Sequence, residues 1–154
     1  MGEGTARHPG DAWFEDDGFW KAAAAALFGE QEWRAATADS AHLVSLLGLD
    51  PGSSVLDLGC GPGRYGLPIA DLGYAVTGVD RTSHFLDEAA GRAEAASLDI
   101  ELVLSDMREF GRPGAFDAAI SMLTSFGYFE DPEEDLQVLR NVLDSLKRKA
   151  KAKT

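Results

Sequence analysis

The stretch Val55-Leu56-Asp57-Leu58-Gly59-Cys60-Gly61-Pro62-Gly63-Arg64 runs a hydrophobic segment into glycines at alternate positions. Residues without a Cβ let a backbone turn sharply and lie close against a ligand. A helix starting after such a loop turns its free N–H groups and positive dipole end toward the same place. That chemistry suits a nucleotide-like ligand. Gly61, Gly63 and Gly66 also satisfy G-x-G-x-x-G, the dinucleotide fingerprint, so spacing alone leaves the ligand open. Asp57 favours one side of that choice, because a carboxylate two residues before the first glycine would repel a dinucleotide's phosphates but attract a cationic ligand.

Two more acids follow hydrophobic runs. In Val76-Thr77-Gly78-Val79-Asp80 the terminal carboxylate is placed to accept both hydroxyls of a ribose, each such bond being worth about 1.5–3 kcal/mol. NAD would use it equally well. Leu102-Val103-Leu104-Ser105-Asp106-Met107 repeats the pattern, with Asp106 also readable as a helix cap. Ser121 falls at the end of a fourth run, where open α/β sheets place their ligands. Cys60, between two glycines and without a paired base, reads as a small filler, and no metal site is expected around His8, His42 or His84.

The elements that must position these residues alternate. Val55 to Leu58, Ala75 to Val79, Ile100 to Leu104 and Phe116 to Leu123 are nearly continuous apolar runs, as in parallel strands buried on both faces. Between them lie helical segments: Tyr65 to Leu72, a second capped by Thr82 or Ser83, and a third opened by Asp131-Pro132. The second turns Phe85, Leu86, Ala89, Ala90, Ala93 and Ala96 to one side, and the third carries Leu136, Leu139, Leu143 and Leu146 as its apolar stripe. From Trp13 to Gly48 an N-terminal helical region is expected, with Gly48 as terminator. The reading is α/β: residues 1–50 as a helical cap, 51–146 as a ligand-binding core and 147–154 as a basic tail.

The segment from Asp57 to Gly63 resembles motif I of the class I S-adenosylmethionine-dependent methyltransferases. That resemblance covers roughly Trp13 to Leu146 and implies a Rossmann-like, doubly wound parallel sheet of strand order 3-2-1-4, with the family's C-terminal strands missing. It implies S-adenosylmethionine as cofactor and S-adenosylhomocysteine as product. It further implies that Asp57, Gly59, Cys60, Gly61 and Gly63 cradle the cofactor, that Asp80 serves its ribose, that Arg81 also binds it, and that Asp106 and Met107 line the adenine pocket. Ser121 joins them by its likeness to the motif IV region. Trp20, Phe126 and Tyr128 are expected to wall a substrate pocket under an N-terminal helix, with core packing the equal alternative for the aromatics. The Asn/Asp-Pro-Pro-Tyr pattern of many enzymes that methylate exocyclic or amide nitrogens is absent, and no residue is assigned as catalyst. The implied activity is methyl transfer to a small molecule. A non-catalytic cofactor-binding or dimerising module is the alternative, and an NAD-binding domain the third reading.

Composition narrows the partners. The chain has 14 Lys and Arg against 26 Asp and Glu, a net charge of −12, and five of the positives fall in the last eight residues. Such a field repels phosphate backbones and anionic membranes, so neither nucleic acid nor a membrane is expected as partner. A single cysteine fits a reducing compartment, and the acidic N-terminus and short apolar runs point to the cytoplasm. Met1-Gly2 lacks the Ser or Thr at position 6 that myristoylation prefers. With the fourth strand as a bare edge, a homodimer covering it is expected.

Overall fold

The computed structural model describes residues 12–123 and 125–148. The readings at Gly2 and His8, and the tail from residue 149 onward, lie outside them. A 3-10 turn at Trp13–Glu15 leads into α1 (Asp17–Leu27) and α2 (Glu30–Leu46). Then follow β1 (Ser54–Leu58), α3 (Gly66–Asp71), β2 (Ala75–Asp80), α4 (Ser83–Ala95), β3 (Glu101–Leu104), β4 (Ala118–Ile120) and α5 (Pro132–Ser145). The four strands form one parallel sheet in the order β3-β2-β1-β4, as the sequence implies.

Alternation along the strands feeds two cores. Val55 and Val76 point to one face, where they meet Val44 of α2, Ile69 of α3 and Ile120. Leu56, Leu58 and Val79 point to the other, onto Phe110, Phe116 and Val138 of α5. Leu56 and Val55 are fully buried, as a central strand flanked on both sides requires. Asp16 caps α1 by accepting from the amides of Gly18 and Phe19, and Asp131 caps α5 through the Glu133 amide.

Three local expectations change. The fourth strand is only Ala118–Ile120, because Leu123 takes a left-handed backbone (φ 60°) and the chain leaves the sheet toward the cavity. The helix after the glycine loop is six residues rather than eight, so it presents little dipole to a ligand. On α5 the leucine stripe is not the buried face: Leu136, Leu139 and Leu143 are exposed, and Val138 with Ser145 faces the core. Polar bonds select that face. Asn141 donates to the carbonyl of Arg108 at 2.8 Å, and Ser145 accepts from the Arg112 amide at 2.9 Å. On α4, Ala90 and Ala96 are likewise exposed, whereas Phe85, Leu86, Ala89 and Ala93 are buried. Thr82 holds the cap position of α4 without a capping bond from its side chain. Lys147 ties the end of α5 to the sheet, donating from Nζ to Asp117 at 2.9 Å and from its amide to Phe116.

Candidate functional site

The carboxyl ends of β1, β2 and β3 open into a cavity of about 340 Å³, a size typical of small-molecule sites. Asp57, Gly59, Cys60 and Gly61 line it from the β1 loop, Asp80 and Arg81 from the end of β2, and Asp106 and Met107 from the end of β3. Trp20 and Tyr128 close the outer side. Gly63, Ser121 and Phe126 do not line the cavity. Gly63 instead packs against Leu67 and Ala89, Ser121 donates to the Leu58 carbonyl at 2.9 Å, and Phe126 is half exposed.

Glycine is required where the β1 loop meets its neighbours. Gly59 has φ 77°, and a Cβ there would lie 2.7 Å from Ser125 Cβ, so any side chain would strain the backbone and push the post-β4 loop away. Cys60 is buried against Gly78, where a Cβ would sit 2.9 Å from its sulfur. Burial, with Asp57 and Asp80 nearby, pushes the Cys60 thiol up and keeps it protonated. It fills space beneath the loop.

The acids differ in state. Asp57 is buried and its Oδ2 has no hydrogen-bond partner among the described residues. Desolvation first, then the charge of Asp80, pushes its carboxyl up to about 7, with the Gly66 amide pulling the other way. Asp80 is raised by burial, against the amides that hold it: Oδ2 accepts from Gly61 and Oδ1 from Thr82, both at 2.8 Å. Asp106 is held low by Arg108, which donates from Nε at 3.0 Å to Oδ1 and from Nη2 at 2.6 Å to Oδ2.

Arg64 was not expected in the site. It lines the cavity, is only 6% exposed, and meets no carboxylate among the described residues. Its Nη1 donates to the Leu27 carbonyl at 2.7 Å, and its guanidinium lies over the rings of Phe28 and Tyr65. An arginine beside a glycine loop reads as solvated; only the chain crossing above it, which no local pattern encodes, buries it. Ser125 also lines the cavity and gave no signal in sequence. Asp57 and Arg64 thus both line the cavity as buried ionisable groups of opposite type, each without a counter-ion among the described residues, an arrangement that favours a ligand carrying both an ammonium and a carboxylate.

The outer wall is aromatic. Tyr128 packs edge-on against Trp13 at 5.1 Å and stacks on Phe14 at 6.0 Å, and Phe14 meets Phe129 edge-on at 5.4 Å. Trp20 fixes this cluster by donating from Nε1 to the Phe14 carbonyl at 2.8 Å. Ring faces of this kind attract cations such as a sulfonium.

Comparison with known proteins finds relatives of this chain. The cypemycin N-terminal methyltransferase of a Streptomyces species is 31% identical over 96 residues, 62% of this chain and 38% of that protein. The 23S rRNA (uracil(1939)-C(5))-methyltransferase RlmD of Acidithiobacillus ferrooxidans is 31% identical over 114 residues, 68% of this chain and 24% of that one. Curated relatives such as these are matched over no more than 38% of their own length. Among solved structures, the PH0226 protein of Pyrococcus horikoshii superposes with a TM-score of 0.71 at 23% identity, over 84% of this chain and 57% of that one, a likeness of fold. The profile of the methyltransferase domain matches residues 55–149, well over half of the sequence, and the chain belongs to that family.

Proposed function

We propose that the chain is the cofactor-binding part of an S-adenosylmethionine-dependent methyltransferase acting on a small molecule in the cytoplasm. The observation that carries the reading is that, among the described residues, the Asp57 oxygen has no hydrogen-bond partner and the buried Arg64 no carboxylate, both lining the cavity, which fits the amino and carboxylate groups of the cofactor's methionine end. Asp80 would hold the ribose hydroxyls, and Asp106 with Met107 would line the adenine. The cofactor is S-adenosylmethionine, and when bound it supplies a methyl group already activated by its sulfonium.

The protein's own part is then alignment and exclusion of water. Phe14, Trp20, Tyr128 and Phe129 wall the side from which an acceptor would approach. Fixing two reactants in line is worth roughly 7–11 kcal/mol of barrier. The surplus of acids, Glu32 among them at the cavity, supports a small acceptor over a polyanionic one. Among the described residues no helix is long and apolar enough to cross a membrane.

Thermal shift tests the cofactor. S-adenosylmethionine or S-adenosylhomocysteine at about 100 times its Kd should stabilise the fold by about 2.7 kcal/mol, and NAD should give no shift. Stabilisation by NAD alone would end the reading. Transfer of labelled methyl to small-molecule acceptors, with total RNA as the parallel sample, tests the substrate class, and label found only in RNA would reverse it.

Leu146 bridges to Phe116 just before β4, and the side of Ala118–Ile120 away from β1, which pairs with no strand among the described residues, is the surface a second copy would cover. Light scattering should show a dimer, and a monodisperse monomer would remove that element of the proposal.

A further inference from the structure

Three arginines follow the ends of β1, β2 and β3, and each reaches the same N-terminal segment. Arg64, after the glycine loop, donates to the Leu27 carbonyl at 2.7 Å. Arg81, adjoining Asp80, donates from Nη1 to the Phe14 carbonyl at 2.8 Å. Arg108, two residues beyond Asp106, places Nη2 3.1 Å from Glu15 Oε1 while its other nitrogens hold Asp106 and Glu134. These attachments bracket α1: Phe14 and Glu15 precede the helix, and Leu27 ends it. α1 has no fully buried residue; Trp20, Ala23, Ala24 and Leu27 are half-buried, so apolar burial fastens it only in part.

We propose that Arg64, Arg81 and Arg108 are positioning residues that clamp α1 over the cavity and couple its closure to cofactor binding. This rests on the cofactor occupying the cavity as described above. An 11-residue helix with only half-buried apolar side chains is marginal by itself, and partly exposed ion pairs are individually weak. The closed position is therefore only slightly favoured by the protein alone. Each arginine is set next to a group assigned to the cofactor: the glycine loop, Asp80 and Asp106. A ligand that fixes those groups fixes the arginines too, and by linkage its differential affinity adds to closure. The three contacts differ in what they demand. Arg81 makes one bond to the Phe14 carbonyl and lies 4.0 Å from Asp17 Oδ1, contacts a lysine can also make. Arg108 serves three carboxylates and lies 4.6 Å over the Phe129 ring, for which a planar fork is needed.

Hydrogen exchange of the full chain with and without saturating S-adenosylhomocysteine tests the clamp, with calorimetric binding measured on the same samples. In the wild type the ligand should slow exchange across residues 17–27 at least about tenfold. In R81M and R108M the slowing should drop below about threefold, while β1 and β2 keep their protection. R81K should restore the response and R108K should not. A wild type that binds the ligand with no response in α1 would overturn the proposal, as would variants that respond like the wild type. Loss of protection in β1 and β2 together with α1 would also overturn it, since the arginines would then merely support the fold. A wild type that shows no calorimetric binding would overturn the cofactor reading, and the coupling with it.

Discussion

Asp80→Ala is expected to lower the affinity for S-adenosylhomocysteine at least about a hundredfold in calorimetric titration. Two charge-assisted bonds to the ribose would be lost, at about 1.5–3 kcal/mol each. The same carboxylate also anchors the loop, through the amides of Gly61 and Thr82. Truncation therefore removes a ligand contact and loosens the turn that shapes the cavity. Asp80→Asn, which keeps the volume but exchanges one acceptor for a donor, should fall between the wild type and the alanine variant. Asp106→Ala should cost less than about tenfold, because it offers an adenine amino group a single contact, which water can replace. Equal or reversed losses would show that the ribose does not sit at Asp80.

The second large effect concerns Asp57. Its carboxyl is pushed from 3.8 up to about 7 in the folded chain. The folded state then holds a proton more tightly than the unfolded one, so stability falls as pH rises between those two values, and the full penalty persists above them. Asp57→Asn removes that penalty. The variant without ligand should be more stable than the wild type at pH 8, by about 5 °C in Tm, with little difference near pH 4. The same change should weaken S-adenosylmethionine binding more than about tenfold, since the buried carboxylate is the proposed partner of the cofactor's ammonium. Parallel stability curves for the two proteins, or a less stable variant at pH 8, would show that Asp57 is not a strained buried acid.

The central features were legible because they rest on backbone rules. An uninterrupted apolar run predicts a strand buried on both faces, and β1 and β2 lie where Val55 to Leu58 and Ala75 to Val79 place them. Their order in the sheet came with the family resemblance. The misplaced face of α5 shows the limit of apolar counting: Leu136, Leu139 and Leu143 outweigh Val138 in a hydropathy pattern. The helix is oriented instead by bonds from Asn141 and Ser145 to loop backbone at residues 108 and 112. Such pairings span about thirty residues and leave no periodic trace. Arg64 was passed over for the same reason, its burial depending on Phe28 and Leu27, which arrive from another part of the chain. The places of the acids at strand ends beside the cavity were readable, whereas their unequal charge states depend on burial and on Arg108.

The parallel sheet also dictates an order of assembly. β1 pairs with β2 across a short connection, Ser54 opposite Ala75, but its other edge waits for Ala118 and Ile120. During synthesis the central strand therefore emerges with one flank open, and long loop closures of this kind are slow. The glycine turn and Asp80 can be in place early, while Tyr128 and Phe129 arrive last and finish the chamber. A nascent chain halted before residue 120 would carry most of the groups assigned to the cofactor and none of the wall contributed by the post-β4 loop.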